Sequence, residues 1–164
     1  MWERINKQSE ILFHNCLDKK LTVTTAESCT GGMIASSIVS VSGSSAIFKS
    51  SVVTYSNEMK SKILNIPLKS IKENGAVSKV IAYTMAYNVL DLMNSDISIA
   101  VTGIAGPGGG SKNKPVGLVY IGIGTKQNTV TKRYLFKGNR LKVRQETTLE
   151  ALKLANEIIE TFKS

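Results

Sequence analysis

The chain has 164 residues, a hydrophobic fraction of 42% and a formal net charge of +9. That length fits one domain over residues 1–164, able to bury roughly 70% of the surface its unfolded form would expose. No apolar run reaches the length of a membrane span, so no membrane-spanning helix is expected in these residues.

The first ten residues carry acid and lack a hydrophobic run before a small-residue cleavage site, so no signal peptide is expected and the protein is expected to be cytoplasmic. Two cysteines, Cys16 and Cys29, and one histidine, His14, have no metal-ligand spacing, which argues against a structural zinc site and a disulfide framework. The positive charge is compatible with nucleic acid, with an anionic small molecule, or with solubility alone. The lysines are spread along the chain with little aromatic interleaving, so solvated surface charge is the reading preferred over nucleic-acid binding.

In chain order, Trp2 to Leu17 reads as a helix, with Ile5, Leu12 and Cys16 on one side. Leu21–Val23 alternates like a strand. A loop follows, Thr24 to Gly32, and then a helix to about Ser40 with Ile34 and Ile38 at helical spacing. Gly43–Ser45 marks a turn, and Ser51–Tyr55 is β-branched and strand-like. Ser56 or Asn57 caps a helix from about Glu58 to Leu64, stopped by Asn65-Ile66-Pro67. Residues 68–77 read as a polar connection with a turn at Asn74-Gly75. Ser78 caps a long helix to about Met93, with Ile81, Met85 and Val89 on its apolar stripe. Ile97–Val101 is nearly continuous in apolar residues, as a buried central strand requires. A glycine-rich loop, Thr102 to Gly117, leads to strands at Leu118–Ile123 and Thr129–Phe136. Gly138-Asn139 opens a last helix, roughly Arg140 to Phe162. Strands alternating with helices, then a late hairpin, predict an α/β layered domain with a mixed sheet.

Three predicted loops each follow a strand, after Val23, Tyr55 and Val101. Ligands of open α/β sheets gather at the carboxyl ends of parallel strands. If these strands run parallel, Ser28, Tyr55 with Lys60, and the Thr102–Gly110 loop meet. A serine hydroxyl becomes a nucleophile once a base takes its proton. A neutral lysine can be that base, but acting near pH 7 requires its pKa to drop by about 3 units, worth ~4 kcal/mol. Burial and nearby positive charge both act in that direction. Free N–H groups near Ser28–Thr30, or in the Gly103–Gly106 turn, could hold an oxyanion. Each element also has a plainer reading: Ser28 or Thr30 as a helix cap, Tyr55 as a strand end, Lys60 as a solvated helix residue. Cys29 is either a rival nucleophile or a small buried residue. Arg140 and Arg144, one helical turn apart, form either an anion clamp or a surface pair.

The segments TAESCTGG, GSSAIF, VVTYSNEMK, GAVS, VTGIAGPGGGSKNKPVG and NRLKVRQ, in this order, resemble the CinA C-terminal domain family, which includes stand-alone nicotinamide-nucleotide amidohydrolases. The resemblance spans nearly the whole chain. It implies a three-layer α/β/α sandwich with a mixed, mostly parallel five-stranded sheet. It implies hydrolysis of the carboxamide of nicotinamide mononucleotide to nicotinate mononucleotide and ammonia, without metal or cofactor. By the same resemblance Ser28 is the nucleophile, Lys60 the base and Tyr55 an assistant. Glu27, Thr30, Gly31, Ser45, Thr102, Gly103, Ile104, Gly106 and Arg144 fall in the motif positions around the substrate. A pyridine mononucleotide is the expected small-molecule partner and a homo-oligomer, preferably a dimer, the expected assembly. The alternative is a catalytically silent binding or regulatory module linked to competence or the DNA-damage response. Longer members carry an N-terminal molybdopterin-binding-like domain; 164 residues leave no room for it, so its activities are not expected here.

Overall fold

The computed structural model describes residues 1–162; positions 163 and 164 of the expected domain lie outside the described residues. The elements are α1 (Trp2–Asp18), β1 (Val23–Glu27), α2 (Met33–Val39), a 3-10 turn (Ser44–Ala46), β2 (Phe48–Val53), α3 (Asn57–Leu64), α4 (Leu68–Asn74), α5 (Lys79–Leu92), β3 (Ile97–Gly103), β4 (Leu118–Thr125), β5 (Thr129–Leu135) and α6 (Arg140–Glu160). The sheet order is β2-β1-β3-β4-β5. β1 pairs in parallel with both β2 and β3. β4 runs antiparallel to β3 and to β5. Four of the five strands therefore point the same way, and the expected mixed α/β/α sandwich is what the chain forms.

Strand β3 explains the layering. Its side chains alternate between faces. Ile97, Ile99 and Val101 join Ile121 and Ile123 of β4 in a core with Ile5, Leu12 and Cys16 of α1 and Val143, Leu149, Leu152, Ala155 and Ile159 of α6. On the opposite face, Ala26 and Ala100 meet Ile81, Met85, Ala86 and Val89 of α5, with Leu64, Ile66 and Ile71 alongside. This second face is built from small residues, so α5 lies almost on the backbone of the sheet. A Cβ on Gly122 would stand 2.6 Å from the Ala82 carbonyl oxygen. Ser98 Oγ donates to the Ala86 carbonyl at 2.6 Å.

Two boundaries differ from expectation. β1 runs through Glu27, where a loop was expected. Thr24 and Thr25 look polar in sequence, but both are fully buried between two strands. Their hydroxyls are satisfied across the parallel pair: Thr24 Oγ1 donates to the Ser50 carbonyl at 3.0 Å and Thr25 Oγ1 to Ser51 Oγ at 2.6 Å. β2 correspondingly starts at Phe48 and stops before Tyr55, which lies in the connection to α3. Residues 68–74, expected to be a connection, form α4, a short helix that buries only Ile71. The caps at Ser56 and Ser78 form as expected, each hydroxyl accepting an N–H three residues on. Among the described residues no helix is long and apolar enough to cross a membrane.

Candidate active site

The carboxyl ends of β1, β2 and β3 lie on one edge, because all three strands are parallel. A pocket of about 260 Å³ opens there, lined by Ser28, Cys29, Tyr55, Asn57, Lys60, Ala76, Val77, Arg140 and the Thr102–Gly109 region. The three loops singled out in the sequence do converge.

Ser28 follows directly after β1 and is 7% exposed. Its N–H donates to the Val101 carbonyl at 3.1 Å, which locks it to β3. Lys60, on α3, is 2% exposed, and its Nζ lies 3.0 Å from Ser28 Oγ. Nζ also donates to the Thr54 carbonyl at 2.8 Å and makes a longer contact of 3.4 Å with the Tyr55 carbonyl. No carboxylate pairs with Lys60 among the described residues. Burial holds its pKa below the ordinary 10.5, since low dielectric disfavours the charged form. Three acceptors surround Nζ, the Ser28 hydroxyl and two carbonyls; on losing a proton the amine keeps two donors for the carbonyls and turns a lone pair to the Ser28 hydroxyl.

Cys29 is also buried, and burial pushes its thiol up to about 12. A thiol held protonated is a poor nucleophile, so the plainer reading of Cys29, a small buried side chain, fits. Both cysteines are free.

Glu27 does not line the pocket. It is fully buried behind Ser28 and takes four close donors: Thr30 Oγ1 at 2.6 Å, and the N–H groups of Gly32 at 3.0 Å, Ile34 at 3.1 Å and Ala35 at 2.8 Å, with Thr25 Oγ1 farther off at 3.5 Å. It therefore caps α2, in place of Ser28 or Thr30, by satisfying the free donors of the first turn. Gly31 and Gly32 have φ of +61° and +93°; only glycine turns the chain back over the carboxylate this way without strain. Thr30 is wholly buried, and its carbonyl accepts Arg144 Nη2 at 2.6 Å. Glu27, Thr30 and Arg144 thus brace the loop from behind, and neither they nor Gly31 line the pocket. Ser45 sits exposed on the 3-10 turn and does not line the pocket either.

Thr102, Gly103, Ile104 and Gly106 do line it. Thr102 Oγ1 donates to the Ala76 carbonyl at 2.8 Å, fastening the end of β3 to the segment before α5. The Tyr55 side chain is 60% exposed. Its hydroxyl oxygen accepts Arg140 Nη2 at 2.8 Å and reaches neither Ser28 nor Lys60. The part of Tyr55 that meets the lysine is its carbonyl. Arg140 Nη1 donates to the Gly106 carbonyl at 2.8 Å, so Arg140, not Arg144, is the arginine at the pocket. Sequence reasoning passed over Asn57, Ala76 and Val77; the GAVS segment, residues 75–78, was the only signal for the last two. Among the described residues no three His, Cys, Asp or Glu side chains come together as a metal-binding group.

A mixed α/β/α sheet with a buried serine–lysine pair at the carboxyl edge of its parallel strands defines the class of protein. The chain belongs to the CinA C-terminal domain family, whose model matches residues 5–159. It is 52% identical over 138 residues to a CinA-like protein of Endomicrobium trichonymphae, covering 84% of this chain and 32% of the relative. A CinA-like protein of Prochlorococcus marinus strain MIT 9515 is 50% identical over 136 residues, covering 82% and 31%. The chain spans about a third of the length of the curated relatives it matches. The crystal structure of competence/damage inducible protein CihA from Agrobacterium tumefaciens has a TM-score of 0.93 at 34% identity, covering 96% of each chain. The competence damage-inducible protein A of Klebsiella pneumoniae has a TM-score of 0.94 at 30% identity, covering 97% of this chain and 99% of that one.

Proposed function

We propose that the protein is an amidohydrolase that deamidates nicotinamide mononucleotide, with Ser28 as nucleophile and Lys60 as general base. The observation that carries this reading is the 3.0 Å approach of a buried, carboxylate-free lysine to a buried serine inside a pocket. Lys60, neutral, takes the Ser28 proton as Oγ bonds to the carboxamide carbon. The carbonyl oxygen gains negative charge. The Ser28 amide is already committed to Val101, so the oxyanion falls to the amides of Cys29 or of Ala105 and Gly106, which line the same pocket. Preorganised donors of this kind are worth ~3–4 kcal/mol each to the transition state. The C–N bond breaks and Lys60 returns its proton to the leaving nitrogen, releasing ammonia. Water then attacks the acyl-serine ester and gives its proton to Lys60. The C–Oγ bond breaks, and Ser28 recovers a proton from Lys60.

The test is ammonia release from nicotinamide mononucleotide, beside nicotinamide riboside and nicotinamide, by the wild type and Ser28→Ala. Release by the wild type that Ser28→Ala loses by ~10⁴-fold or more supports the reading. Full-rate release by Ser28→Ala refutes it, and no release from any of the three by the wild type leaves a silent binding module.

A further inference from the structure

We infer that the outer face of α5 is a contact between two copies of this chain, paired antiparallel about a two-fold axis at the level of Met85. The inference does not depend on the amidohydrolase reading. A helix that covers one side of a sheet ordinarily turns charged residues to water. In α5 only two of 14 residues are charged, Lys79 at its start and Asp91 one residue before its end. Between them the solvent side presents Val80, Tyr83 and Tyr87, all exposed. The two tyrosine rings lie 7° from parallel with centroids 6.2 Å apart, one flat aromatic surface of the kind enriched where proteins meet. Both charges also stand at the wrong ends. A cation is disfavoured at a helix N-terminus and an anion at a C-terminus. Neither has an ion-pair partner within the chain among the described residues.

A reversed second copy answers both features. Lys79, Tyr83, Tyr87 and Asp91 recur every four residues and form one ridge along the helix. Position 85 is midway between the two charges and midway between the two tyrosines. Turning a copy of the ridge about that point sets Tyr83 beside the partner's Tyr87 and Lys79 beside the partner's Asp91, and each contact occurs twice. Ridges of this spacing interdigitate when two helices cross near −50°, the commonest helix packing. Lys79 then lies at the negative end of the facing helix and Asp91 at the positive end, so the partner reverses the sign of each dipole interaction. A parallel pairing fails, because it sets Lys79 against Lys79 and Asp91 against Asp91. Next to Tyr87 and Asp91 the surface is hollowed into a cleft of about 230 Å³, which has room for the partner's Lys79. The one lysine that lines this cleft, Lys126, is already paired with Asp96 at 2.6 Å, which leaves Asp91 for a cation from outside. A single helix pair buries less than a standard interface, so the dimer forms at micromolar concentration.

Sedimentation equilibrium of the whole chain at low salt, from micromolar to submillimolar concentration, reads the association. The wild type dimerises, and Tyr83→Glu, which puts a charge at the centre of the contact, weakens the dimer ~100-fold or more. Lys79→Glu and Asp91→Lys each weaken it ~10-fold or more, since each turns two attractions into two repulsions. Mixed in equal amounts, these two single variants pair with each other at near wild-type affinity, because every charge then faces its opposite across the axis. The double variant Lys79→Glu with Asp91→Lys regains the affinity alone. The three side chains are exposed, so the variants keep the wild-type melting temperature at concentrations where all are monomers. A wild type that stays monomeric throughout, a dimer indifferent to Tyr83→Glu, or single variants that do not complement each other when mixed each overturns the inference.

Discussion

Replacing Lys60 with methionine separates a catalytic lysine from a structural one, because the two make opposite predictions about pH. Lys60 is 2% exposed and its pKa is held below 10.5 by burial. Above about pH 10.5 the lysine is neutral in both the folded and unfolded chains, and its burial carries no protonation penalty. As the pH falls below that value the unfolded chain takes up a proton first. The folded state then loses ~1.4 kcal/mol of stability per pH unit until the folded lysine is protonated too. A lysine that stays neutral near pH 7 therefore costs ~5 kcal/mol there. Methionine has similar length and carries no such penalty, but it leaves the Thr54 carbonyl without the donor it has at 2.8 Å, a loss of ~1–3 kcal/mol. The expected outcome in urea unfolding is a Lys60→Met protein as stable as the wild type or more so near neutrality, and less stable near pH 10. The wild type gains ~1.4 kcal/mol per unit on Lys60→Met as the pH rises toward 10.5, so the order of the two reverses. Other titrating groups are common to both proteins and drop out of the comparison. The same substitution removes at least ~10²- to 10⁴-fold of the rate, the usual contribution of a general base. Parallel stability curves across this range would refute the argument, since they mean that Lys60 keeps its proton and cannot serve as a base.

Two further outcomes follow from the packing. Glu27→Ala removes the acceptor of four donors around a buried turn and lowers stability by ~3 kcal/mol or more in chemical unfolding, the sum of a lost cap and stranded buried donors; a loss under ~1 kcal/mol contradicts the bracing role. Gly122→Ala puts a Cβ 2.6 Å from the Ala82 carbonyl oxygen and costs ~1–3 kcal/mol by overpacking, read as a lowered melting temperature with α5 displaced in a crystal structure.

Much of the architecture was legible because the core-facing residues keep strict periods. Ile97, Ile99 and Val101 are unmistakable as a buried strand, and Ile81, Met85 and Val89 as one face of a helix. β1 was partly misread because its buried residues are threonines, whose hydroxyls are satisfied only by a neighbouring strand that local sequence does not reveal. Helix α4 was missed because it is short, polar and buries a single isoleucine. At the site, Ser28 and Lys60 were legible from the loop positions and the resemblance. Glu27 was not, since a carboxylate in a motif reads equally as a ligand contact or as a cap, and only the fold of Gly31-Gly32 decides. Arg140 and Arg144 are indistinguishable by spacing. What separates them is that one reaches Gly106 across the pocket and the other reaches Thr30 behind it. Tyr55 was expected as an assistant to the serine–lysine pair; its carbonyl meets Lys60, while its side chain, just past a strand end, points to the rim.

The bracing of the serine turn by Glu27 has a consequence for how such a protein could diversify. Ser28 stands on a floor fixed from within, with no contribution from whatever lies above it. The parts at the pocket rim, Arg140, Tyr55 and the glycine run, are set on exposed chain around that floor. Evolution could exchange the rim and so change which molecules are admitted, while the chemistry underneath stayed as it was.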